Sequence, residues 1–413
     1  MRSVATPYAA VLRAKGAWRF YVWSVAPRLG GAMLGLGMVW LIHWATGSYA
    51  AAGVVAGAYA LAGAVIGPHV ARLIDTFGQP RTVPLLLALN GAATVTLVAA
   101  ASAHASLVIL AGIAAVAAAC GPQFPALSRA RWSYVHAGSP QLSTAFALES
   151  LTDEVPFILG PALVGTLSAL VHPTVGPLAA VVLLLASGIP FALERSTAPP
   201  PSCAGSGPRP QGVLRMPGLL PLLGVFVTIG LLFGAMQVTV TAAAIQSGDA
   251  ALAGPMYSAF SLLSMLAGVA YGAVTWRVGV HTRLVCALAA LTILYLPLLV
   301  VTGQPMQAIA VALPGLAIAP ALIAGNTLAE QLSDRRTLTQ TFTWLASAIA
   351  LGLAAGQTAA GYTADTLGVH WGFAIPALSS AAGATLALLT RSGKPIQRQR
   401  PDQPPRCHKK PDK

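Results

Sequence analysis

The chain has 413 residues, of which 56% are hydrophobic and 8% are charged, and its mean hydropathy is +0.71. This number of polar side chains is too small to cover the surface of a water-soluble globule of this size. The composition therefore excludes a soluble protein and indicates a membrane protein. A net charge of +13 would suggest a nucleic-acid partner for a soluble domain. In a membrane protein it marks one side of the bilayer instead, and no nucleic-acid partner is expected.

Long apolar runs follow one another along the whole sequence. Each has roughly 20 to 31 residues, which is enough to cross a hydrocarbon core of about 30 Å as a helix. They predict twelve membrane-spanning helices, at residues 18–46, 49–70, 82–102, 105–127, 141–171, 174–193, 218–246, 252–275, 283–302, 305–328, 339–365 and 369–390.

The basic residues fall on one side of this arrangement. When the chain is threaded from a cytoplasmic N-terminus, none of the 24 Lys and Arg residues falls in an outer loop, and only Arg28 lies inside a span and away from its ends. This pattern predicts a multi-pass protein of the plasma membrane with both termini in the cytoplasm. The inner loops carry Arg72, Arg81, Arg129, Arg131, Arg195, Arg209, Arg215, Arg277, Arg283, Arg335 and Arg336.

The spans form two sets of six, separated by a segment rich in Pro, Gly and Ser. Residues at matching positions recur in the two sets, as expected for a transporter built from structural repeats. Gly67, Gly78, Phe146, Gly160 and Gly165 match Gly268, Gly279, Phe342, Gly356 and Gly361 in that order. The predicted parts are a cytoplasmic N-terminus (1–17), an N-terminal bundle (18–193), a cytoplasmic linker (194–217), a C-terminal bundle (218–391) and a disordered basic tail (392–413).

The loop after the second span reads GPHVARLIDTFGQPR and contains Gly67, Arg72, Asp75, Gly78 and Arg81. An Asp in such a tight turn can cap the end of a neighbouring helix and pair with Arg. Positive-inside topology alone would explain the arginines, but it would explain neither the acid nor the spacing of the glycines.

In this loop the sequence resembles the major facilitator superfamily, whose signature here is a Gly, an Asp and a Gly followed by basic residues. The resemblance covers about residues 17–391. It implies an all-α membrane protein of twelve helices in two pseudo-symmetric six-helix bundles. It also implies that this loop latches the two halves together in one of their conformations.

The fifth span contains three acids. Glu149 and Asp153 are four residues apart and share a helix face, whereas Glu154 is turned by about 100°. Asp153 lies about 18 Å along the helix from its start, well inside the hydrocarbon, so these acids are expected to face the bundle interior or a wet cavity. Arg28 enters the first span to a similar depth and is the one cation expected to meet them.

Two interpretations of these four residues remain open. In the first, one acid binds and releases a proton as the cavity changes sides, and proton exchange is coupled to transport. In the second, Arg28 and one or two acids form a buried network that fixes the packing of the helices and never titrates.

The acids are followed by Gly160, Pro161 and Gly165, which resemble the glycine-proline motif of the superfamily's antiporter branch and favour export. A bend is expected here because Pro161 removes a backbone hydrogen bond, although ordinary small-residue packing would also explain these residues. The antiporter pattern has an Arg in the fourth span, whereas the predicted fourth span has no charge. The whole pattern resembles actinobacterial small-molecule efflux permeases.

The resemblance also implies a central cavity lined by the first, fourth, seventh and tenth spans. A mostly apolar and aromatic lining suits amphipathic or cationic organic solutes. Each polar candidate could equally form an interhelical hydrogen bond. The candidates for the cavity lining are Trp40, Gln123, Gln237, Asn326, Trp344 and Gln357.

The sequence has no nucleophile elbow, no nucleotide-binding loop and no metal-binding spacing of His and Cys. We therefore predict neither an enzyme nor a cofactor or metal site. The predicted function is secondary transport by a monomer in the lipid bilayer, with export of a small organic compound coupled to protons. The alternatives are uptake of a nutrient or metabolite, and a non-transporting membrane receptor or scaffold on the same fold.

Overall fold

The computed structural model describes residues 5–201, 213–246, 253–301 and 303–390, and the secondary structure of these residues is helical throughout, with no strand. The helices are α1 (Ala5–Leu12), α2 (Ala17–Thr46), α3 (Tyr49–Phe77), α4 (Gln79–Ser102), α5 (Leu107–Ala119), α6 (Phe124–Val135), α7 (Gln141–Leu170), α8 (Val175–Leu193), α9 (Leu219–Gln246), α10 (Ala253–Ala273), α11 (Val280–Tyr295), α12 (Gln304–Ala312), α13 (Gly315–Leu332), α14 (Leu338–Thr366), α15 (Val369–Gly372) and α16 (Ala374–Leu389). Parts of the predicted linker and the predicted tail 392–413 lie outside the described residues.

Eleven helical segments of the described chain are long and apolar enough to cross a membrane. Helix α7, with 30 residues, is also long enough to cross a membrane and forms the twelfth span, although it carries the three acids. Three of the twelve spans consist of two helices each, since α5 and α6 form the fourth span, α12 and α13 form the tenth, and α15 and α16 form the twelfth. The predicted all-α fold of two six-helix bundles is therefore confirmed.

Local sequence signals determine where the first helices end. Helix α2 ends at Gly47, whose φ of 67° lies in the left-handed region that favours glycine. The next helix begins at once, because the hydroxyl of Ser48 accepts a hydrogen bond from the amide of Ala51 at 3.2 Å. Gly78, with a φ of 89°, then separates α3 from α4.

The two halves pack in a pseudo-symmetric way. Helix α7 packs on α2 in the first half, and α14 packs on α9 in the second. Between the halves, α3 contacts α14 and α7 contacts α10. Phe146 of α7 and Phe342 of α14, which match in the sequence repeat, meet edge to face with ring centroids 5.8 Å apart. These two residues therefore lie where the halves face each other.

Exposed basic side chains lie at the helix ends on one side of the bundle, which we call the basic face. They include Arg72, Arg81, Arg195, Arg215, Arg277 and Arg335. The hydrogen bonds that join the two halves near this face include one from the Thr144 hydroxyl to the carbonyl of Gly272, at 2.6 Å. The halves are therefore in contact at the basic face.

The prediction that Arg129 and Arg131 lie in a loop is wrong. Both belong to α6, which continues the fourth span to Val135. Arg131 is fully buried and donates hydrogen bonds to Gln79 at 2.7 Å and to Thr197 at 2.9 Å. The hydropathy pattern stopped at residue 127 because it cannot recognise a helix whose arginines have buried partners.

The pair formed by α9 and α14 is held by glycines. An added Cβ at Gly230 or Gly234 would overlap a carbonyl oxygen of α14. An added Cβ at Gly352 or Gly356 would overlap a carbonyl oxygen of α9. Such close backbone contact between two membrane helices requires glycine on both sides.

Membrane-impermeant maleimide labelling tests the arrangement of the faces. In a chain whose native cysteines are replaced, we expect His172→Cys and His370→Cys to react in intact cells. Arg195→Cys and Arg277→Cys should react only after permeabilisation, since they lie on the basic face. Reaction of either arginine position in intact cells would contradict the assigned orientation.

Gly352→Ala is expected to destabilise the chain by about 1 to 3 kcal/mol, because the added methyl group would overpack α9 against α14. Gly361→Ala in the same helix is the matched control, since no atom lies within 4 Å of its added Cβ. There the better helix propensity of Ala should leave the stability unchanged or raise it. Thermal unfolding of both variants in detergent measures the difference, and equal midpoints would refute the packing argument.

Candidate functional site

Arg28 of α2 connects the first span to the fifth. It donates one hydrogen bond to Asp153 at 2.6 Å and another to Glu149, and both acids are on α7. The side chains of Arg28 and Glu149 are 2% and 0% exposed. Spacing the two acids by four residues places both carboxylates on the face of α7 that meets α2.

Glu149 is held by α6 as well as by α2. Its second oxygen accepts hydrogen bonds from the Ser128 hydroxyl at 2.6 Å and from the Trp132 indole at 2.7 Å. Ser128 and Trp132 are four residues apart and therefore lie on one face of α6. With these two donors and Arg28, the buried carboxylate of Glu149 has hydrogen-bond partners on both of its oxygens.

Asp153 has a second cation, because Arg129 of α6 also forms an ion pair with its carboxylate. The prediction that Arg28 is the only cation inside a span is therefore wrong. The side chain of Asp153 is 28% exposed, so this end of the arrangement is open to its surroundings. Arg28, Arg129, Glu149 and Asp153 together form what we call the charge network, whose two positive and two negative charges cancel.

Glu154 is not part of the charge network. Within the described residues its carboxylate has no ion pair and no hydrogen bond, and its side chain is partly buried. It lies about 20 Å along α7 from Gln141, near the middle of the helix. On the opposite half it interacts electrostatically with Tyr257 of α10, whose ring is 5.8 Å from that of Phe260. An unpaired carboxylate thus faces the other half of the molecule near mid-membrane.

The predicted latch loop reaches the other half. The carboxylate of Asp75, in the last turn of α3, accepts hydrogen bonds from the backbone amides of Thr339 at 3.3 Å and Gln340 at 2.9 Å. These amides belong to the first turn of α14, where a negative charge is favoured by free N–H groups and the helix dipole. Gly67 faces Thr343 of the same helix. Arg72 and Arg81 are exposed on the basic face.

The predicted bend motif lies within α7, which is helical from Gln141 to Leu170. Gly160 packs against Ala32 of α2, 3.3 Å from the position of an added Cβ. Gly165 has no neighbour within 4 Å of that position. The side chain of Pro161 lies outside the described part of the chain.

Only two of the predicted cavity residues come together. The side-chain N–H of Gln357 donates a hydrogen bond to the side-chain oxygen of Gln237 at 2.8 Å, so this pair bridges α14 and α9. Trp40 is 39% exposed on α2. Asn326 is 6% exposed and its amide donates to the Leu322 carbonyl of its own helix.

The two remaining cavity candidates lie elsewhere. Gln123 is partly buried and precedes α6 at the break in the fourth span. The ring of Trp344 is 6.3 Å from that of His69 in the first half, so Trp344 belongs to the contact between the halves. Within the described ranges, no three His, Cys, Asp or Glu side chains form a group that could hold a metal.

The sequence alone did not identify Arg129, Ser128, Trp132 and Tyr257 as site residues. The i, i+4 spacing of Ser128 and Trp132 could have indicated one face of a helix. No such signal exists for Tyr257, because its approach to Glu154 depends on how the two halves pack.

Glu149→Gln is expected to lower the unfolding free energy by about 3 to 5 kcal/mol, because it leaves the buried Arg28 without one of its anions. Glu154→Gln in the same helix should cause little loss, since no ion pair is broken. Chemical unfolding of the two purified variants in detergent measures this difference. Equal destabilisation would mean that Glu154 has a structural partner comparable to Arg28.

Comparisons with known proteins agree with this architecture. The human organic anion transporter MFSD10 (TETRAN) superposes with a TM-score of 0.67 at 16% identity, over 91% of this chain and 98% of that chain. A bacterial homologue of the iron transporter ferroportin in an outward-facing state superposes with a TM-score of 0.75 at 12% identity, over 91% of this chain and 99% of that chain. The E. coli fucose:proton symporter FucP (N162A) superposes with a TM-score of 0.68 at 16% identity, over 95% of this chain and 100% of that chain.

At these identities the likeness to solved structures is one of fold. Comparison with curated protein sequences gave no match. A family model described as Major Facilitator Superfamily matches residues 26–306 and 225–411, which together cover both halves. The chain therefore belongs to the major facilitator superfamily.

Proposed function

We propose that this protein is a secondary active transporter that exports a small amphipathic or cationic organic compound in exchange for protons. The observation that carries this proposal is Glu154, an unpaired carboxylate near mid-membrane beside a charge network that is already neutral. Members of this superfamily move small solutes through alternating access, in which two halves rock around a central site.

The cost of an isolated charge in the membrane makes Glu154 the proton carrier. A carboxylate without a counter-charge in the hydrocarbon costs at least about 2.5 kcal/mol, and a proton or a bound cation removes this cost. Glu149 and Asp153 are compensated by Arg28 and Arg129, so neither needs a proton. Glu149 and Asp153 thus hold the helices together, and Glu154 titrates.

The contacts between the halves at the basic face hold that face closed, and they must break when it opens during the transport cycle. Asp75 caps the first turn of α14 across the two halves. Such a cap contributes about 1 kcal/mol, which is small enough to break during each transport cycle. By the positive-inside rule the basic face is cytoplasmic, so opening toward the cytoplasm requires the Asp75 contact to break.

The surroundings of Glu154 support a cationic solute. The carboxylate provides a negative charge, and the partly buried Tyr257 provides an aromatic ring on the opposite half. An organic cation is attracted to both kinds of group. The motif of Gly160, Pro161 and Gly165, which resembles that of the antiporter branch, favours export.

Uptake of a nutrient or metabolite is the second candidate. A titrating carboxylate serves symport as well as antiport, and one structural neighbour is described as a fucose:proton symporter. The two candidates differ in the direction in which solute moves relative to protons. A non-transporting receptor or scaffold would move no solute at all.

Transport of ethidium into inverted membrane vesicles tests the proposal. We expect accumulation in wild-type vesicles with an acidic lumen, and collapse of this accumulation by a protonophore. In Glu154→Gln the gradient-driven accumulation should fall about tenfold or more, because the site for the proton and the negative charge that attracts the cation are both lost. Glu194→Gln, at a partly exposed acid on the basic face, is the matched control and should behave as wild type.

The outcomes separate the candidates. Full gradient-driven accumulation in Glu154→Gln would show that this acid does not carry the proton. Proton-driven solute entry in right-side-out vesicles, tested with fucose and a set of amino acids, would establish uptake instead. Absence of flux for every compound in both vesicle types would favour the receptor or scaffold.

A further inference from the structure

The short helix α1 lies across the basic face and touches both halves. The Tyr8 hydroxyl donates to the Val269 carbonyl of α10 at 2.8 Å. The Tyr8 ring also packs against Gly272, where an added Cβ would lie only 2.6 Å from the hydroxyl oxygen. At its other end, Val11 is fully buried, and its carbonyl accepts a hydrogen bond from the His136 ring at 3.2 Å.

The position of α1 coincides with a gap in the pseudo-symmetry. The loop after the second span carries Asp75, which caps α14, but the matching loop after the eighth span has Trp276 at the corresponding position. The indole of Trp276 donates to the Tyr271 carbonyl within its own half. The first turn of α7, which corresponds to that of α14, is capped from within its own half, because the amide of Gln141 donates to the Ser139 hydroxyl at 3.2 Å. Within the described residues, the loop between α10 and α11 therefore has no acid at the position that Asp75 holds in the first half.

We propose that α1 is this missing second latch, a strap that keeps the basic face closed and must release α10 when that face opens. The proposal rests on the alternating access described above. Tyr8 fills the groove beside Gly272 at the place where the matching loop offers no acid. Thr144 of α7 donates to the same glycine, so the two contacts close this side together.

The two ends of the strap differ in how firmly they are held. His136 stacks on Trp132, with ring centroids 5.6 Å apart and an interplanar angle of 21°, and Trp132 donates to Glu149. Burial lowers the pKa of the His136 imidazole below its ordinary value, so the ring is neutral and donates a single N–H to Val11. The first-half end is thus anchored on the charge network. The second-half end depends on the Tyr8 contact, which breaks when α10 moves away.

Tyr8→Phe tests the strap, because it removes the hydroxyl and keeps the ring. Spin labels are attached at Arg195→Cys and Arg277→Cys, which are exposed on the two halves of the full-length protein. The distance between the two labels, measured by double electron–electron resonance, reports how far the basic face is open. Loss of one hydrogen bond should raise the population with the longer distance about two- to tenfold. Tyr134→Phe, at a 42% exposed tyrosine of α6, is the matched control and should leave the distances unchanged.

Asp75→Asn provides the reference, because it weakens the other latch. A longer distance in both Asp75→Asn and Tyr8→Phe, but not in Tyr134→Phe, supports the strap. Opening in Asp75→Asn without any change in Tyr8→Phe would overturn the strap and leave alternating access intact. Unchanged distances in both latch variants would overturn the strap and the proposed cycle together.

Discussion

The double ion pair of Arg28 is the interaction on which the first half depends. A buried guanidinium is tolerated in a membrane only when its charge and its donors are matched, and here two acids on one face of α7 match them. Ser128, Trp132 and Arg129 then join the same acids to α6. The first, fourth and fifth spans are consequently fixed to each other by polar contacts. The second half reaches the same rigidity by a different route, through the glycine contacts of α9 with α14.

Two rigid halves concentrate the conformational freedom of the molecule in the contacts between them. At the basic face these include a helix cap from Asp75, the strap contact of Tyr8, the bond from Thr144 and the ring pair of Phe146 and Phe342. Each of these four contributes on the order of 1 kcal/mol, which a ligand or a proton with a modest preference for one state can offset.

The twelve spans could be predicted because the bilayer imposes a length and a hydropathy on each helix. The meeting of Arg28 with the acids could be expected because a charge at that depth needs a partner. Arg129 was misplaced because hydropathy records where apolar residues stop, whereas α6 continues through residues whose charges are matched inside the protein. Trp344 was assigned to the cavity, but it lies against His69 between the halves. Its position depends on the packing of the halves, which sequence composition does not encode.

The difference between Asp153 and Glu154 shows how one helical step separates structure from chemistry. The 100° rotation between neighbouring residues turns Asp153 toward two arginines and Glu154 toward the other half. Because the charge network is neutral, it places no net positive charge beside Glu154 that would hold it ionised. In the proposed cycle, a change in what the opposite half presents to Glu154 would change the cost of keeping its carboxylate charged. A group whose surroundings change whenever the halves move is the kind of group that can couple a proton to the movement.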